Sequence, residues 1–253
     1  MLGIRLSNSS ALFKRQLINR RFSAAIVEHR EYIVKPEFLS QYLSLTNDTA
    51  TLRNKLAPLR LFCVPETGGR LNAVSHFYCY EDGITARESA RAKMVENKEW
   101  QAYLLKAKPC LVEQRSFIYV EPSLSGMMGM KPMTLGSLDE TNAIYEIRTY
   151  KLKLGYDTVP KFLEYYASGL PSKLSAPGTD PTTRLCTVMY NEVGRLNTVI
   201  EVWRHGGGTT AMNTSRIAAR SAADWRKAIS EIANLAIEFR NTIHRPTVFS
   251  NWM

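Results

Sequence analysis

The chain contains two copies of one module, and this duplication constrains the fold more than any other sequence feature. Residues 69–74 (Gly-Arg-Leu-Asn-Ala-Val) recur as residues 194–199 (Gly-Arg-Leu-Asn-Thr-Val), at an offset of 125 positions. The same offset pairs Trp100 with Trp225. An offset kept over so long a stretch indicates a duplicated domain, because the units of solenoid proteins are only about 20–50 residues long.

The start of the module repeats at a smaller offset. Residues 27–32 (Val-Glu-His-Arg-Glu-Tyr) match residues 145–150 (Tyr-Glu-Ile-Arg-Thr-Tyr), 118 positions later. The second copy therefore holds seven extra residues before its Gly-Arg-Leu-Asn turn. We expect them in the Pro/Gly/Ser/Thr-rich run 170–183, because surface connections tolerate added length.

Hydrophobic periodicity and turn residues predict the order β-α-β-β-α-β in each copy. The first copy has predicted strands at 27–34, 59–65, 71–80 and 115–120. Its helices are predicted from Phe38 to Leu56, and from a capping box at 85–88 through Trp100 to about Leu105. The second copy has predicted strands at 144–152, 184–190, 195–204 and 240–248, and helices near 157–169 and 210–236.

This order is the split βαβ, ferredoxin-like plan, in which helices cover one face of an antiparallel sheet. We predict an α+β fold with two tandem ferredoxin-like modules at 26–121 and 144–250, joined by a Gly/Met-rich linker at 122–143. Because each sheet leaves one face open, we expect the two modules to pair as an intramolecular dimeric α+β barrel.

The net charge of +10 lies partly in the amino-terminal segment. Residues 1–25 contain five basic and no acidic residues, which leaves 28 basic and 23 acidic residues in the remainder. An acid-free, amphipathic terminus is typical of a mitochondrial transit peptide, and we expect processing after Phe22. The alternative is an unstructured basic terminus. The modest charge of the remainder, without stacked aromatics on adjacent strands, argues against a DNA or RNA partner.

Several classes of protein are not indicated. No apolar run is long enough for a transmembrane helix. The four cysteines are Cys63, Cys79, Cys110 and Cys186. They contain no C-x-x-C motif, which favours free, mostly buried thiols in a reducing compartment. We find no nucleophile elbow, phosphate loop or metal-ligand spacing, and therefore predict no catalytic residue, metal site or cofactor.

The motifs resemble those of the NIPSNAP family, over nearly all of the chain after residue 25. The family pattern Glu-x-Arg-x-Tyr followed by Lys-Pro is matched by Glu28, Arg30, Tyr32, Lys35 and Pro36. The pattern Gly-Gly-x-x-Asn-x-Val-x-His-x-aromatic-x-Tyr is matched by Gly68, Gly69, Asn72, Val74, His76, Tyr78 and Tyr80. The second copy departs from it, with Glu201 in the place of His76.

The resemblance implies a mitochondrial, often matrix-directed protein, in a family whose members act in mitochondrial quality control. Bacterial relatives of the fold include small heme-dependent or cofactor-free monooxygenases. The resemblance supplies no catalytic residue that could be transferred to this chain.

One face of two strands in each copy collects polar and aromatic residues. If these faces point into the barrel, they line a small-molecule pocket. The candidate residues are Arg30, Tyr32, Asn72, His76, Tyr78, Arg148, Tyr150, Asn197, Glu201 and Trp203. His76 would then act as a base or a heme ligand. The alternative is a structural role. His76 would then be a hydrogen-bonded residue of the sheet, the Glu–Arg pairs would be ion pairs of its interior or rim, and the asparagines would bind turn backbones.

The sequence favours a non-catalytic mitochondrial matrix protein that binds other mitochondrial proteins, in quality control or mitophagy or as part of a larger assembly. Homo-oligomerisation is left open. The alternative is a small-molecule-binding or monooxygenase-like barrel that uses His76 with Asn72, Tyr78 and Arg30. The sequence identifies neither the ligand nor the partner.

Overall fold

The computed structural model describes residues 25–122 and 142–252. The first module contains four strands, four α-helices and two short 3₁₀ turns. The strands are β1 (Ile26–Val34), β2 (Leu59–Thr67), β3 (Ala73–Tyr80) and β4 (Leu111–Val120). The helices are α1 (Leu39–Asp48), α2 (Ala50–Leu56), α3 (Gly83–Glu96) and α4 (Lys98–Ala107).

The second module repeats the order with three helices. The strands are β5 (Ile144–Leu152), β6 (Thr183–Val193), β7 (Thr198–His205) and β8 (Ala236–Pro246). The helices are α5 (Thr158–Leu174), α6 (Gly208–Ser221) and α7 (Ala223–Leu235). Nearly all of the predicted transit peptide and most of the predicted linker lie outside the described residues.

The eight strands form one closed antiparallel barrel in the order β1-β3-β2-β8-β5-β7-β6-β4. Each module supplies four neighbouring strands in the ferredoxin-like arrangement, β4-β1-β3-β2 and β8-β5-β7-β6. The two sheets join where Val64 of β2 lies opposite Arg245 of β8, and where Val120 of β4 lies opposite Tyr190 of β6. The predicted α+β barrel within a single chain is confirmed, and its closure gives every strand two neighbours.

The two faces of each sheet have different surroundings. The barrel interior contains an apolar cluster filled from both modules, with Val27, Phe77, Tyr145, Met189 and Ile200 among its side chains. The opposite face packs under the helices of its own module, as Tyr78 does with Trp100 and Trp203 with Trp225.

The inward orientation considered for the Glu/Arg/Tyr and His76 faces therefore does not hold. Alternation along β3 places His76 and Tyr78 opposite the inward-pointing Phe77. The physical reason is charge. On the helix side, the buried carboxylates of β1 and β5 meet arginines of α3 and α6, and these ion pairs hold the Glu/Arg face under the helices.

The helices differ from the prediction at their ends. Helix α3 begins at Gly83, whose φ of +76° suits glycine, and not at the predicted capping box at Thr85. The single long helix predicted there divides at Asn97, whose side chain accepts the backbone N–H of Trp100 at 2.8 Å. This cap starts α4 in a new direction.

Helix α5 extends to Leu174, although the sequence predicts an end near residue 169. Pro171 lies inside the helix. The last turn is held against α7 because Gly169 permits close approach: a Cβ there would lie 2.5 Å from the Cβ of Ala228. Lys173 is consequently on a buried helical turn and not in a surface loop.

Some features are absent from residues 25–122 and 142–252. No helix in these ranges is long and apolar enough to cross a membrane. No group of three or more His, Cys, Asp or Glu side chains is arranged there to hold a metal ion. The four cysteines, all within the described ranges, are buried and form no disulfide with one another.

Candidate functional site

Each module has a polar cluster between its sheet and its helices, anchored by a buried carboxylate. In the first module, Glu28 accepts hydrogen bonds from Arg30 at 3.0 Å, Arg87 at 2.7 Å and Ser116 at 2.7 Å. Burial alone would raise the pKa of Glu28, but Arg30 and Arg87 outweigh it and lower the pKa to about 2. The carboxylate is ionised, and both of its oxygens accept hydrogen bonds from these donors.

His76 is a core side chain of this first-module cluster. Its ring is fully buried, lies 4.1 Å from the Phe62 ring and meets the Tyr32 ring edge-on at 4.6 Å. Burial, with the nearby charges of Arg53 and Arg30, holds its pKa well below the ordinary value. The imidazole is therefore neutral and enclosed by aromatic rings.

Arg53 fills the space between the sheet and the helices of the first module. Its guanidinium donates to the hydroxyls of Tyr78 at 2.7 Å and Tyr103 at 2.8 Å. It also lies 4.9 Å from the Trp100 ring centroid. Two charge-assisted hydrogen bonds and a cation–π contact stabilise this buried cation.

In the second module, Glu201 stands at the position of His76 and changes the chemistry of the cluster. Its oxygens accept from Tyr150 at 2.7 Å, from Trp203 Nε1 at 2.8 Å and from Arg148 at 3.3 Å, and also from Tyr166. Burial and the carboxylate raise the pKa of Tyr150 well above its ordinary value. The hydroxyls therefore remain donors to an ionised Glu201.

Lys173 is the buried cation of the second module, but its amine has no hydrogen-bond partner among the described residues. The side chain is 8% exposed, and Nζ lies 3.5 Å from the Trp203 ring centroid and 4.5 Å from that of Trp225. Burial, and secondly the charge of Arg148, lower its pKa to about 7. At neutral pH the amine exists in both protonation states.

The side chain of Lys173 lines a cavity of about 430 Å³, here called the second-module cleft. Its apolar walls include Trp203, Trp225 and the half-exposed Phe239. Its charged lining residues are Glu146, Arg148, Lys173, Arg216, Arg220 and Arg226. Because the one carboxylate of this set is already bound by two of the arginines, the cleft carries an excess of positive charge.

A hydrogen-bonded chain leads along one wall of the cleft. The Nε2 atom of His205 lies 3.1 Å from Glu146, and its Nδ1 atom lies 3.0 Å from the hydroxyl of Thr183. The Thr183 hydroxyl is in turn 2.7 Å from that of Ser215. One consistent assignment has Nε2–H donating to the carboxylate and Nδ1 accepting from Thr183. The chain fixes the imidazole beside Glu146.

The structure separates the ten candidate residues into three groups. The first-module cluster contains Arg30, Tyr32, His76 and Tyr78. The second-module cluster contains Arg148, Tyr150, Glu201 and Trp203, and of these Arg148 and Trp203 line the cleft. Asn72 and Asn197 lie at the hairpin turns, where their amides donate to Val34 O at 2.5 Å and Lys153 O at 2.8 Å.

Sequence reasoning missed Lys173, because the helix prediction ended before it. Phe162, Tyr166 and Leu170 form an apolar stripe at helical spacing, and Lys173 continues that stripe by one turn. A lysine on the buried face of an amphipathic helix was the available signal. Pro171 and the polar composition of 170–183 concealed it.

The fold and the cleft define a class of protein, the dimeric-type α+β barrel, here closed within one chain. The sequence model of the NIPSNAP family matches residues 27–125 and 145–251. The chain therefore belongs to the NIPSNAP family. It is 26% identical over 235 residues to Protein NipSnap homolog 3A of Homo sapiens, covering 91% of this chain and 87% of that protein. It is 24% identical over 237 residues to Protein NipSnap homolog 3B of Mus musculus, which again covers 91% of this chain and 87% of that protein.

Solved structures share the barrel at low sequence identity. A candidate monooxygenase from Fusobacterium nucleatum superposes with a TM-score of 0.60 at 13% identity, covering 89% of this chain and 94% of that one. An anthrone oxidase-like protein gives a TM-score of 0.56 at 11% identity, covering 89% and 92%. At these identities the likeness shows the fold alone.

Proposed function

We propose that this protein binds a small organic anion with an apolar body in the second-module cleft. The observation that carries the proposal is the cavity itself, which brings a buried amine without a hydrogen-bond partner, Lys173, between two tryptophans. Ligand sites have volumes of about 300–1,000 Å³ and combine apolar walls with a few convergent polar groups. A cleft of about 430 Å³ meets this description.

The lining residues support the chemistry of the ligand. Trp203, Trp225 and Phe239 offer flat apolar surfaces, which suit an aromatic or branched body. Arg220 and Arg226 are exposed residues on neighbouring helices that line the same cleft. Guanidinium groups there favour a carboxylate or phosphate at the entrance. The proposed ligand therefore has its anion outward and its apolar part inward.

Native mass spectrometry tests the proposal directly. Protein of residues 23–253, purified from cells, is expected to lose a reproducible small mass under denaturing conditions. In parallel, p-toluate is titrated while tryptophan fluorescence is recorded, because both cleft tryptophans would contact the ring. A bare polypeptide together with a flat p-toluate titration would contradict the proposal.

The cellular role is a separate proposal. We propose that the protein is mitochondrial and directed to the matrix, as the acid-free, arginine-containing residues 1–25 support. The measurement is amino-terminal sequencing of the protein from isolated mitochondria, with the mature chain expected to begin at Ser23. A mature chain in cells that begins at Met1 would argue against import and processing.

A second candidate function is non-catalytic binding to another mitochondrial protein, in quality control, mitophagy or a larger assembly. Leu154 and Tyr156, in the loop before α5, are 91% and 103% exposed, which supports a contact surface there. Changing both to serine should release a partner that otherwise co-purifies at fixed stoichiometry. Retention of that partner by the double variant would count against this surface.

A further inference from the structure

We propose that the ε-amine of Lys173 forms an imine with a small aldehyde or ketone bound in the second-module cleft. The inference rests on the proposed function, because the carbonyl compound must first bind there. The imine requires a carbonyl group in the ligand, and the charge and shape of the cleft do not specify that group.

The position of the amine is the first argument. Lys173 is held on the last turn of α5, lines the cleft and is 8% exposed. Because Nζ has no hydrogen-bond partner among the described residues, no neighbouring carboxylate or carbonyl oxygen accepts its N–H protons. Its Nζ atom is buried against the rings of Trp203 and Trp225, which line the same cleft.

The surrounding charges are the second argument. Arg148 from β5 and Arg216 from α6 disfavour the ammonium form, in addition to the larger effect of burial. Glu201 from β7 and Glu146 from β5 favour it, but their oxygens already accept from arginines and hydroxyls. The resulting pKa of about 7 provides neutral amine at neutral pH, as nucleophilic lysines require.

The chemistry balances without an oxidant, a reductant or a cofactor. The nitrogen lone pair attacks the carbonyl carbon and forms a C–N bond, while the C=O π electrons move to oxygen. A proton passes from nitrogen to that oxygen and gives a carbinolamine. A second proton on the oxygen releases water, and loss of the remaining N–H proton leaves a neutral C=N bond. The net reaction joins amine and carbonyl with release of one water.

The test uses 4-carboxybenzaldehyde as the probe, with sodium cyanoborohydride to reduce the imine to a stable amine. Protein of residues 23–253 is incubated with both reagents at neutral pH and measured by intact mass and peptide mapping. One reduced adduct on Lys173 is expected. The exposed Lys161 on the same helix serves as the internal reference for non-specific labelling.

Two variants and one isostere separate the possible outcomes. Lys173→Met should lose the adduct, and the parent protein should bind p-toluate, which has the same ring and carboxylate but no carbonyl. Lys161→Met should label as the parent protein does. Binding of p-toluate without a Lys173 adduct would overturn the imine and leave the binding proposal standing. Failure of both ligands to bind would overturn the two together, and labelling spread over surface lysines would also count against the imine.

Discussion

Each module has a buried cation between its sheet and its helices, but the contacts of the two cations differ. In the first, Arg53 is bound by two tyrosine hydroxyls and lies over Trp100. In the second, Lys173 lies between Trp203 and Trp225 and lacks a hydrogen-bond partner among the described residues. A cation bound by two hydroxyls stabilises a core, whereas a cation without a hydrogen-bond partner beside a cavity is a feature of a binding site.

Substitutions at the repeat offset explain the difference. Cleft-lining positions of the second module have other residues in the first, with Met94 for Ala219, Val95 for Arg220, Gln101 for Arg226 and Gln114 for Phe239. The buried methionine occupies volume that the alanine leaves open. The aromatic and cationic residues at the entrance are present only in the second copy. The two copies therefore differ in packing, with a filled core in the first and an open cleft in the second.

The largest expected effect is on the first-module cation. Arg53→Met should lower the free energy of unfolding by about 3 kcal/mol, because the buried hydroxyls of Tyr78 and Tyr103 would lose a charged donor. Urea denaturation measures the change. The matched variant Lys173→Met should cause no loss, since it breaks no hydrogen bond and removes a group that is costly to charge when buried. Equal losses in the two variants would contradict the comparison.

The pH dependence of stability should report on Lys173. In the unfolded chain its pKa is near 10.5, and in the folded protein it is about 7. Between pH 7 and pH 9 the unfolded state therefore binds more protons, so stability rises with pH. Relative to Lys173→Met, the parent protein should gain about 2 kcal/mol over this interval, measured by denaturation at each pH. A constant difference between the two proteins would show that the amine titrates normally.

Filling the cleft should make the packing of the second module resemble that of the first. Ala219→Met should weaken p-toluate binding by about tenfold, equivalent to about 1.4 kcal/mol. The added atoms enter open space, so the fold should be retained, as circular dichroism can check. Met94→Ala provides the reciprocal control in the first module and should leave p-toluate affinity unchanged. Undiminished binding by Ala219→Met would place the ligand elsewhere.

The smallest effect is expected at the entrance. Arg220→Val, which introduces the first-module residue, should raise the Kd for p-toluate about threefold and reduce its salt dependence, because exposed charges contribute weakly. Isothermal titration at two salt concentrations measures both quantities. Lys227→Gln removes an exposed cation that does not line the cleft and is the charge-matched control. An equal response of both variants would indicate only a general effect of net charge.

Much of the fold could be predicted from the repeated sequence. Alternation and turn residues located all eight strands, although β4, β6, β7 and β8 begin or end several residues from the prediction. The helix ends were less predictable. Propensity alone ended α5 near residue 169, whereas its contact with α7 at Gly169 carries it through Pro171.

The candidate site was predicted only in part. The Glu/Arg strand motifs and Trp203 do lie in buried clusters, but the sequence did not indicate on which side of the sheet. It also did not single out Lys173, or Arg216 as the partner of Glu146. Period-two alternation shows that residues share a face, but gives no information on whether helices or other strands cover that face.

The sequence by itself determined the duplication, the order of strands and helices, the family and the residue types available to each copy. These properties depend on local periodicity and on comparison of one copy with the other. The tertiary structure decided that the polar faces lie under helices, that Arg53 is bound by two tyrosine hydroxyls, and that Lys173 lines a cavity. Those outcomes depend on which side chains from distant elements fill the space between sheet and helix, and packing of that kind is settled only when the barrel closes.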